Sequence, residues 1–425
     1  MADDNLSAFR AHLPDLSQPR FTTMKKQDAH EYAKAFIEDG NPPWLHGLWQ
    51  HWRRLYQEPF KGITNDGRVR NDLFHLRDDG ILISSIVAAA NNLLSLLTPD
   101  QLSKTIFHID APEWRTWSNP EFLLSNKGIR LDEVSDSIRS AALNLLKETL
   151  SPEGYEKALG AMRINGFLGE LVGAPQICGE FSYNVCFFGT PSEQQAWGFQ
   201  WYGHHLCLNI FLYRSTIVVS PFFTGAEPNG IDDGPYKGTR ILHEEERLGL
   251  ELMRSLEGSV RDKVQVFKEL KDPGMEHGRW NHDDQRHLCG AYRDNRVVPY
   301  EGVVVSSFSL EQQALVKAIL NQFLLYLPQR ARELRIEECE RWFHETYFCW
   351  IGGYRDGDAF YYRIQSPVVI VEFDHHSGVF LTNKEPKRFH IHTLLRTPNG
   401  GDYGMALRKE CEGIRQEWVW EGDKE

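Results

Sequence analysis

Apolar positions recur at helical spacing through the first half of the chain, then in short alternating or continuous runs. Residues 81–97 form an apolar helical stretch that stops at Thr98-Pro99, and 131–150 repeat the spacing before Ser151-Pro152. The first 60 residues, rich in Trp, His and Pro, show only short helical patterns. The pattern then changes. Segments 178–188, 196–213 and 216–223 are aromatic and β-branched runs separated by turn residues, which predict a strand meander. Helical spacing returns over 240–270, and over 310–327 with Leu315, Ile319, Leu320, Phe323 and Leu327 on one face. Between these lies a loop, 272–295, rich in Gly, His and Asp and long enough for a lid or binding loop. Strands are predicted at 346–351, 359–364, 368–375 and 388–395, followed by an amphipathic helix near 405–418. Runs of helices and runs of strands, without strict alternation, predict an α+β fold with an antiparallel sheet core. A mainly helical region, 1–165, would precede an α+β region, 166–425, as two units or as one continuous domain. No short-period repeat is evident.

The strand pair at 368–375 and 388–395 holds the strongest chemical signal. Residues two apart on a strand share a face, so Glu372 and Asp374 point one way, and His390 and His392 share a face on the second strand. Pairing Glu372 with His392, and Asp374 with His390, would bring two carboxylates and two imidazoles together, a ligand set for a divalent metal. Residues 368–371 are continuously apolar, which implies burial, and buried carboxylates need partners. Charges pairing across a solvent-facing hairpin are the plainer alternative.

A second cluster is Trp201-Tyr-Gly-His-His-Leu-Cys-Leu-Asn209. Adjacent histidines on a regular strand face opposite ways, so His204 and His205 share a site only if the backbone bends, which Gly203 permits. Alternation groups His205 with Cys207 and Asn209, making His205 the preferred ligand and His204 an additional one. Arg363 and Arg396 flank the hairpin and suit carboxylate pairing; Arg363 reads as structural. Asp402 and Tyr403 follow a turn-rich segment that could carry them to the site, although Asp402 also suits a helix cap. His375 and His376 close the strand as ligands, loop residues or neither. In His243-Glu-Glu-Glu246 no second His follows at helical spacing, so an exposed acidic face paired with Arg247 and Arg254 is expected.

Composition narrows the partners. Of 425 residues, 41% are hydrophobic and 25% charged, as in ordinary globular proteins, and the formal charge of −12 disfavours nucleic acid and anionic membranes as partners. Seven cysteines without a Cys-x-x-Cys pair indicate neither a disulfide framework nor a thiolate zinc site. The acidic start lacks an apolar core, and no run approaches membrane-span length, so a cytoplasmic location with reduced thiols is expected.

The ordered set Gly203-His-His-Leu206, Phe222-Phe-Thr-Gly-Ala-Glu-Pro228, Tyr361-Tyr-Arg-Ile364, Val371-Glu-Phe-Asp374, His390-Ile-His-Thr393 and Asp402-Tyr-Gly404 resembles the bacterial and fungal family catalogued as domain of unknown function 3500. The resemblance covers about residues 140–410. It implies that His204, His205, Glu372, His390, His392, Arg396 and Asp402 belong to the family pattern. Many bacterial members look exported; without a signal, this chain would instead fit a cytosolic role, by analogy in secondary metabolism.

These readings converge on a metalloenzyme acting on a small molecule. His205, Glu372, His390 and His392 would hold zinc or iron, which lowers the pKa of a bound water and polarises a carbonyl in an amide or ester. Asp374 or Asp402 would take the proton, and Tyr403 or Arg396 would steady the oxyanion. A non-haem Fe(II) oxygenase and a metal-free small-molecule-binding protein are the alternatives.

Overall fold

The computed structural model describes residues 6–123 and 127–412. Among them, twelve strands form one sheet. They are β1 (Ile106–Phe107), β2 (Ile129–Arg130), β3 (Tyr183–Phe188), β4 (Trp197–Gly203), β5 (Leu206–Tyr213) and β6 (Thr216–Ala226). The others are β7 (Gln265–Phe267), β8 (Val303–Val304), β9 (Tyr347–Gly352), β10 (Phe360–Gln365), β11 (Ile370–His375) and β12 (Ile391–Arg396). The order across the sheet is β1-β3-β4-β5-β6-β12-β11-β10-β9-β7, with β2 beside β3 and β8 beside β9. Two antiparallel meanders, β3–β6 and β9–β12, meet where β6 pairs antiparallel with β12. The fold is therefore α+β, but the sheet is mixed. β1 runs parallel to β3 and β7 parallel to β9, because each short strand returns to the sheet through a long crossover containing helices.

Alternation along the strands gives the sheet two unlike faces. Val185, Phe187, Leu208, Ile210, Val371 and Phe373 lie on the face packed beneath helices Ile83–Ser95, Asp136–Thr149, His243–Ser255 and Leu310–Phe323. The other face carries Gln200, Asn209, Arg363, Glu372, Asp374, His392 and Arg396, all buried. Helices Ala29–Ile37 and Pro43–Tyr56 cover it, together with the segments around Trp114–Phe122 and Leu288–Val298. Burial on both sides explains why 368–371 is apolar without alternation.

The order of elements repeats within the chain. Helices Ile83–Ser95 and Pro99–Thr105 lead into β1 and β2, then helices Asp136–Thr149 and Pro152–Val172 and the first meander. Helices His243–Ser255 and Gly258–Val264 likewise lead into β7 and β8, then helices Leu310–Phe323 and Gln329–Arg341 and the second meander. The first and third helices of each set pack together. Their lengths match at 13 and 13 and at 14 and 14 residues, which makes the second set a structural copy of the first. The duplication shows in element order and length, not in a short-period sequence pattern.

Several local expectations change. The run 196–213 is two strands joined by a tight turn at His204-His205, with His205 at φ 61°. Residues 6–165 carry helices but also β1 and β2, so strands from both sides of position 165 join one sheet. The described part of the closing helix is a 3-10 segment, Asp402–Glu410, and 413–418 lie outside the described residues. Within the acidic motif only Glu244 behaves as an exposed partner of Arg247. Glu245 is buried against Lys157, and Glu246 against His375 and Arg388. Glu245→Ala leaves the buried Lys157 ammonium without its counter-charge, with only the Gln322 carbonyl to accept from it, and is expected to cost about 3–5 kcal/mol, measurable by denaturant unfolding.

Candidate metal centre

The register of β11 and β12 decides which groups meet. Asp374 lies opposite His392 and Glu372 opposite Leu394, a slide of two residues from the expected pairing. A two-residue slide preserves the faces while changing the partners. The ladder continues past the strand ends, where the His376 N–H donates to the His390 carbonyl at 2.8 Å. His376 thus joins Asp374, His390 and His392 on one patch.

His205 arrives from the other meander. Its backbone N–H donates to the Asn119 carbonyl at 3.1 Å, and its carbonyl accepts from the Gly225 N–H at 2.7 Å. Gly225 lies opposite His392 in the β6–β12 pairing. A Cβ on Gly225 would sit 2.8 Å from His205 Cδ2 and 3.1 Å from His392 Cδ2, so this position has no room for a side chain.

Two groups of potential ligands result. In the first, His392 Nε2 is 3.1 Å from both His205 Nε2 and His390 Nε2. An imidazole nitrogen directs either one hydrogen or one lone pair, so His392 Nε2 cannot make two linear hydrogen bonds at once. A tetrahedral ion with metal–nitrogen bonds near 2.0–2.1 Å separates its ligand atoms by about 3.3 Å, which suits all three nitrogens together. The second group is His287, Asp374 and His376, whose ligand atoms all lie within 4.8 Å of one another. Asp374 Oδ2 and His376 Nε2 approach to 3.1 Å, yet neither has a well-formed hydrogen-bond partner among the described residues. Both ring nitrogens of His287 also lack one. Buried polar atoms left this way are rare and costly unless something else binds them.

Electrostatics favours the ligand form. Burial, reinforced by the neighbouring imidazoles, holds His205, His376 and His392 well below the usual histidine range. His390 is also lowered by burial, with Glu227 opposing. All four are then neutral at pH 7 with lone pairs available. Glu227 accepts the backbone N–H groups of Val379 and Leu381 at 2.9 and 3.0 Å and stands 3.7 Å from His390 Nδ1, a buried carboxylate beside that ring but beyond hydrogen-bond distance. Arg286 Nε donates to Asp374 Oδ1 at 2.6 Å, fixing the carboxylate with Oδ2 toward the histidines.

The structure places the other candidates elsewhere. Glu372 is no ligand in this arrangement. Its carboxylate accepts the N–H groups of Leu288 and Cys289 at 2.8 and 2.9 Å and the Tyr361 hydroxyl at 2.6 Å. It clamps the loop that carries His287. His204 Nδ1 pairs with Asn165 Oδ1 at 2.7 Å, and burial pushes this imidazole down to about 3. Its ring stacks on His205, centroids 3.9 Å apart, and supports the site from outside either group. His375 faces the helices, accepts the Phe360 N–H and meets Glu246 at 2.8 Å. Arg363 is structural, bonded to Glu301 and the Pro299 carbonyl.

Arg396, Asp402 and Tyr403 form a separate buried network. Arg396 lies four residues beyond His392 on β12, roughly 13 Å along a strand. Asp294 accepts from Arg115 at 2.8 Å, Arg396 at 2.7 Å and the Tyr403 hydroxyl at 3.0 Å. Burial raises the Asp294 carboxyl, but Arg396 and Arg115 outweigh it and hold the group below the usual range. Asp402 accepts from Ser220 and the Thr397 N–H, both at 2.7 Å. These contacts tie loop 272–298 to the opposite segment around Arg115.

His376, left open in the sequence as ligand, loop residue or neither, falls in the second group, and His287 joins it without having been singled out from the sequence. His376 was legible as the residue two beyond Asp374. His287 sits in the His-rich loop, but no spacing rule connects it to β11. A cavity of about 170 Å³ opens onto both groups, with His205, His376 and His392 in its wall and Trp44, Trp52 and Phe122 at its apolar side.

Gly225→Ala should push the His205 and His392 rings apart, lowering metal affinity about 10–100-fold at a stability cost of ~1–3 kcal/mol, as read by metal competition titration and thermal melting. Asp294→Asn leaves Arg115 and Arg396 short of charge, so a loss of about 3–5 kcal/mol is expected in denaturant unfolding, with metal content of the folded fraction unchanged.

No curated protein and no solved structure matches the chain. Among the described residues no helix is long and apolar enough to cross a membrane. Residues 79–405 match the family described as "Protein of unknown function (DUF3500)", most of the chain, and the protein belongs to that family.

Proposed function

We propose that this protein is a metal-dependent hydrolase of a small organic substrate, with zinc at His205, His390 and His392. The convergence of three buried, neutral imidazole nitrogens carries the reading. Three histidines and no thiolate suit a catalytic zinc with one open position. Zinc held there supplies Lewis acidity and brings the pKa of its water toward neutrality. The protein's own part is orientation and exclusion of bulk water. Glu227 places a carboxylate beside His390, the Asn119 and Gly225 backbones fix His205, and the aromatic wall admits an apolar group of the substrate.

Asp283 lines the same cavity. Burial, with Asp284 beside it, holds its carboxyl above the usual range, which suits a group that accepts and returns a proton. It replaces Asp402 in that role, since Asp402 is committed to Ser220, Thr397 and Arg396.

A second reading rests on the composition of His287, Asp374 and His376. Two histidines and one carboxylate form the ligand set of non-haem Fe(II) oxygenases. Oxygen consumption on addition of Fe(II) and a substrate panel separates the two readings.

Elemental analysis of the purified protein beside His390→Ala/His392→Ala, with circular dichroism on both, tests the metal reading. Zinc in the parent, its loss in the variant and an unchanged spectrum are expected; no metal in the parent even after zinc or Fe(II) reconstitution overturns both enzyme readings. On a panel of activated esters and amides, Asp283→Asn should keep its zinc and lose about 10²–10⁴-fold in kcat. An unchanged rate removes Asp283 from the chemistry.

A further inference from the structure

We infer that the centre is dinuclear, with a second ion held by His287, Asp374 and His376 beside the one held by His205, His390 and His392. The inference rests on the metal reading above and extends it from one ion to two.

Four observations carry it. The two groups share no residue, so filling one does not consume the ligands of the other. The second group presents four buried polar atoms without hydrogen-bond partners among the described residues: both nitrogens of His287, Asp374 Oδ2 and His376 Nε2. An ion at the first group satisfies none of them, because its three nitrogens come from other side chains. The groups are also in contact, since the His376 and His392 rings lie 3.8 Å apart, centroid to centroid. Finally, each second-group ligand has its own support. Glu372 clamps the loop at Leu288 and Cys289, next to His287; Arg286 holds Asp374; and the His376 N–H is fixed on the His390 carbonyl. Such outer partners orient metal ligands.

Charge points to what the pair of ions binds. The first group contributes no carboxylate and the second contributes one, Asp374, so further compensating charge would lie outside the ligand sets, on Glu227 beside His390 and on Glu121, Asp283 and Asp284 in the cavity wall. The cavity touches both groups through His205, His392 and His376, and its wall includes no Lys or Arg. With acidic side chains and no Lys or Arg in that wall, an anionic or carbonyl oxygen of a substrate would find its positive partner at the ions. A carboxylate, or an ester or amide carbonyl developing negative charge, placed between the groups meets both. An apolar or aromatic substituent on the same molecule faces Trp44, Trp52 and Phe122. The substrate class is thus a small acyl compound with an apolar side, bound through oxygen.

The test is metal stoichiometry on the full chain, using Zn²⁺ and then Co²⁺ as the probes. The stripped protein is titrated, and bound metal is counted after gel filtration. Two ions per chain are expected for the parent. His287→Ala/His376→Ala should retain one, with the cobalt absorption of a three-histidine site, and circular dichroism should match the parent. One ion in the parent and one in the variant overturns the dinuclear inference and leaves the single-metal hydrolase intact. No ion in the parent overturns both. If the variant fails to fold, the parent titration still decides. Two binding phases, with spin coupling in the electron paramagnetic resonance of the fully loaded cobalt protein, support adjacent ions; a single saturating phase at one equivalent rules them out.

Discussion

The pairing of β6 with β12 is the constraint on which the rest of the molecule depends. It joins two meanders that are otherwise separate, and it sets Gly225 opposite His392. Because the Gly225 N–H also holds the His205 carbonyl, the same few residues fix the sheet junction and the convergence of three imidazoles. Glycine is required there because two rings occupy the volume a side chain would need. The first structural copy contributes one candidate ligand, His205, and the second contributes the others, so the candidate centre lies where the copies meet.

The polar face of the sheet divides its buried charge between two tasks. At one end, His287, His376 and Asp374 leave atoms without hydrogen-bond partners among the described residues. At the other, Asp294, Arg115, Arg396 and Asp402 are matched against one another. Low dielectric makes both arrangements costly unless compensated. The second end finds its compensation within the chain and locks the covering loop in place. Arg396 and Asp402 also keep atoms outside good hydrogen-bond geometry, so what sets the first end apart is its chemistry, imidazoles and a carboxylate within ligating distance of one another. Glu372 links them: it is a carboxylate at the centre of the sheet whose function is to hold the loop bearing His287.

Strand periodicity made the site partly legible in the sequence. The shared face of His390 and His392, the burial implied by 368–371 and the bend after Gly203 all follow from local pattern, as does the position of most strands and helices. The register of β11 on β12 did not, because the connection from 376 to 390 is too long to impose one as a two-residue turn would. That slide of two residues moves Glu372 out of the site and brings Asp374 and His376 fully into it. His287 was hidden for a related reason. Its place depends on how a loop folds over a sheet, and nothing in local spacing encodes that contact. Arg396, Asp402 and Tyr403 look like site residues because polar groups near a histidine pair invite that reading; Arg396 and Tyr403 in fact meet Asp294, and Asp402 meets Ser220, both far away in sequence. The parallel pairs of β1 and β7 were equally beyond reach, each being only two or three residues long.

The most direct measurement is anomalous diffraction from crystals of the metal-loaded protein, recorded on either side of the zinc edge. The account predicts one peak among the Nε2 atoms of His205, His390 and His392 and a second between His287, Asp374 and His376. Peaks confined to surface histidines, or none above the edge with both groups closed on their own hydrogen bonds, would contradict it.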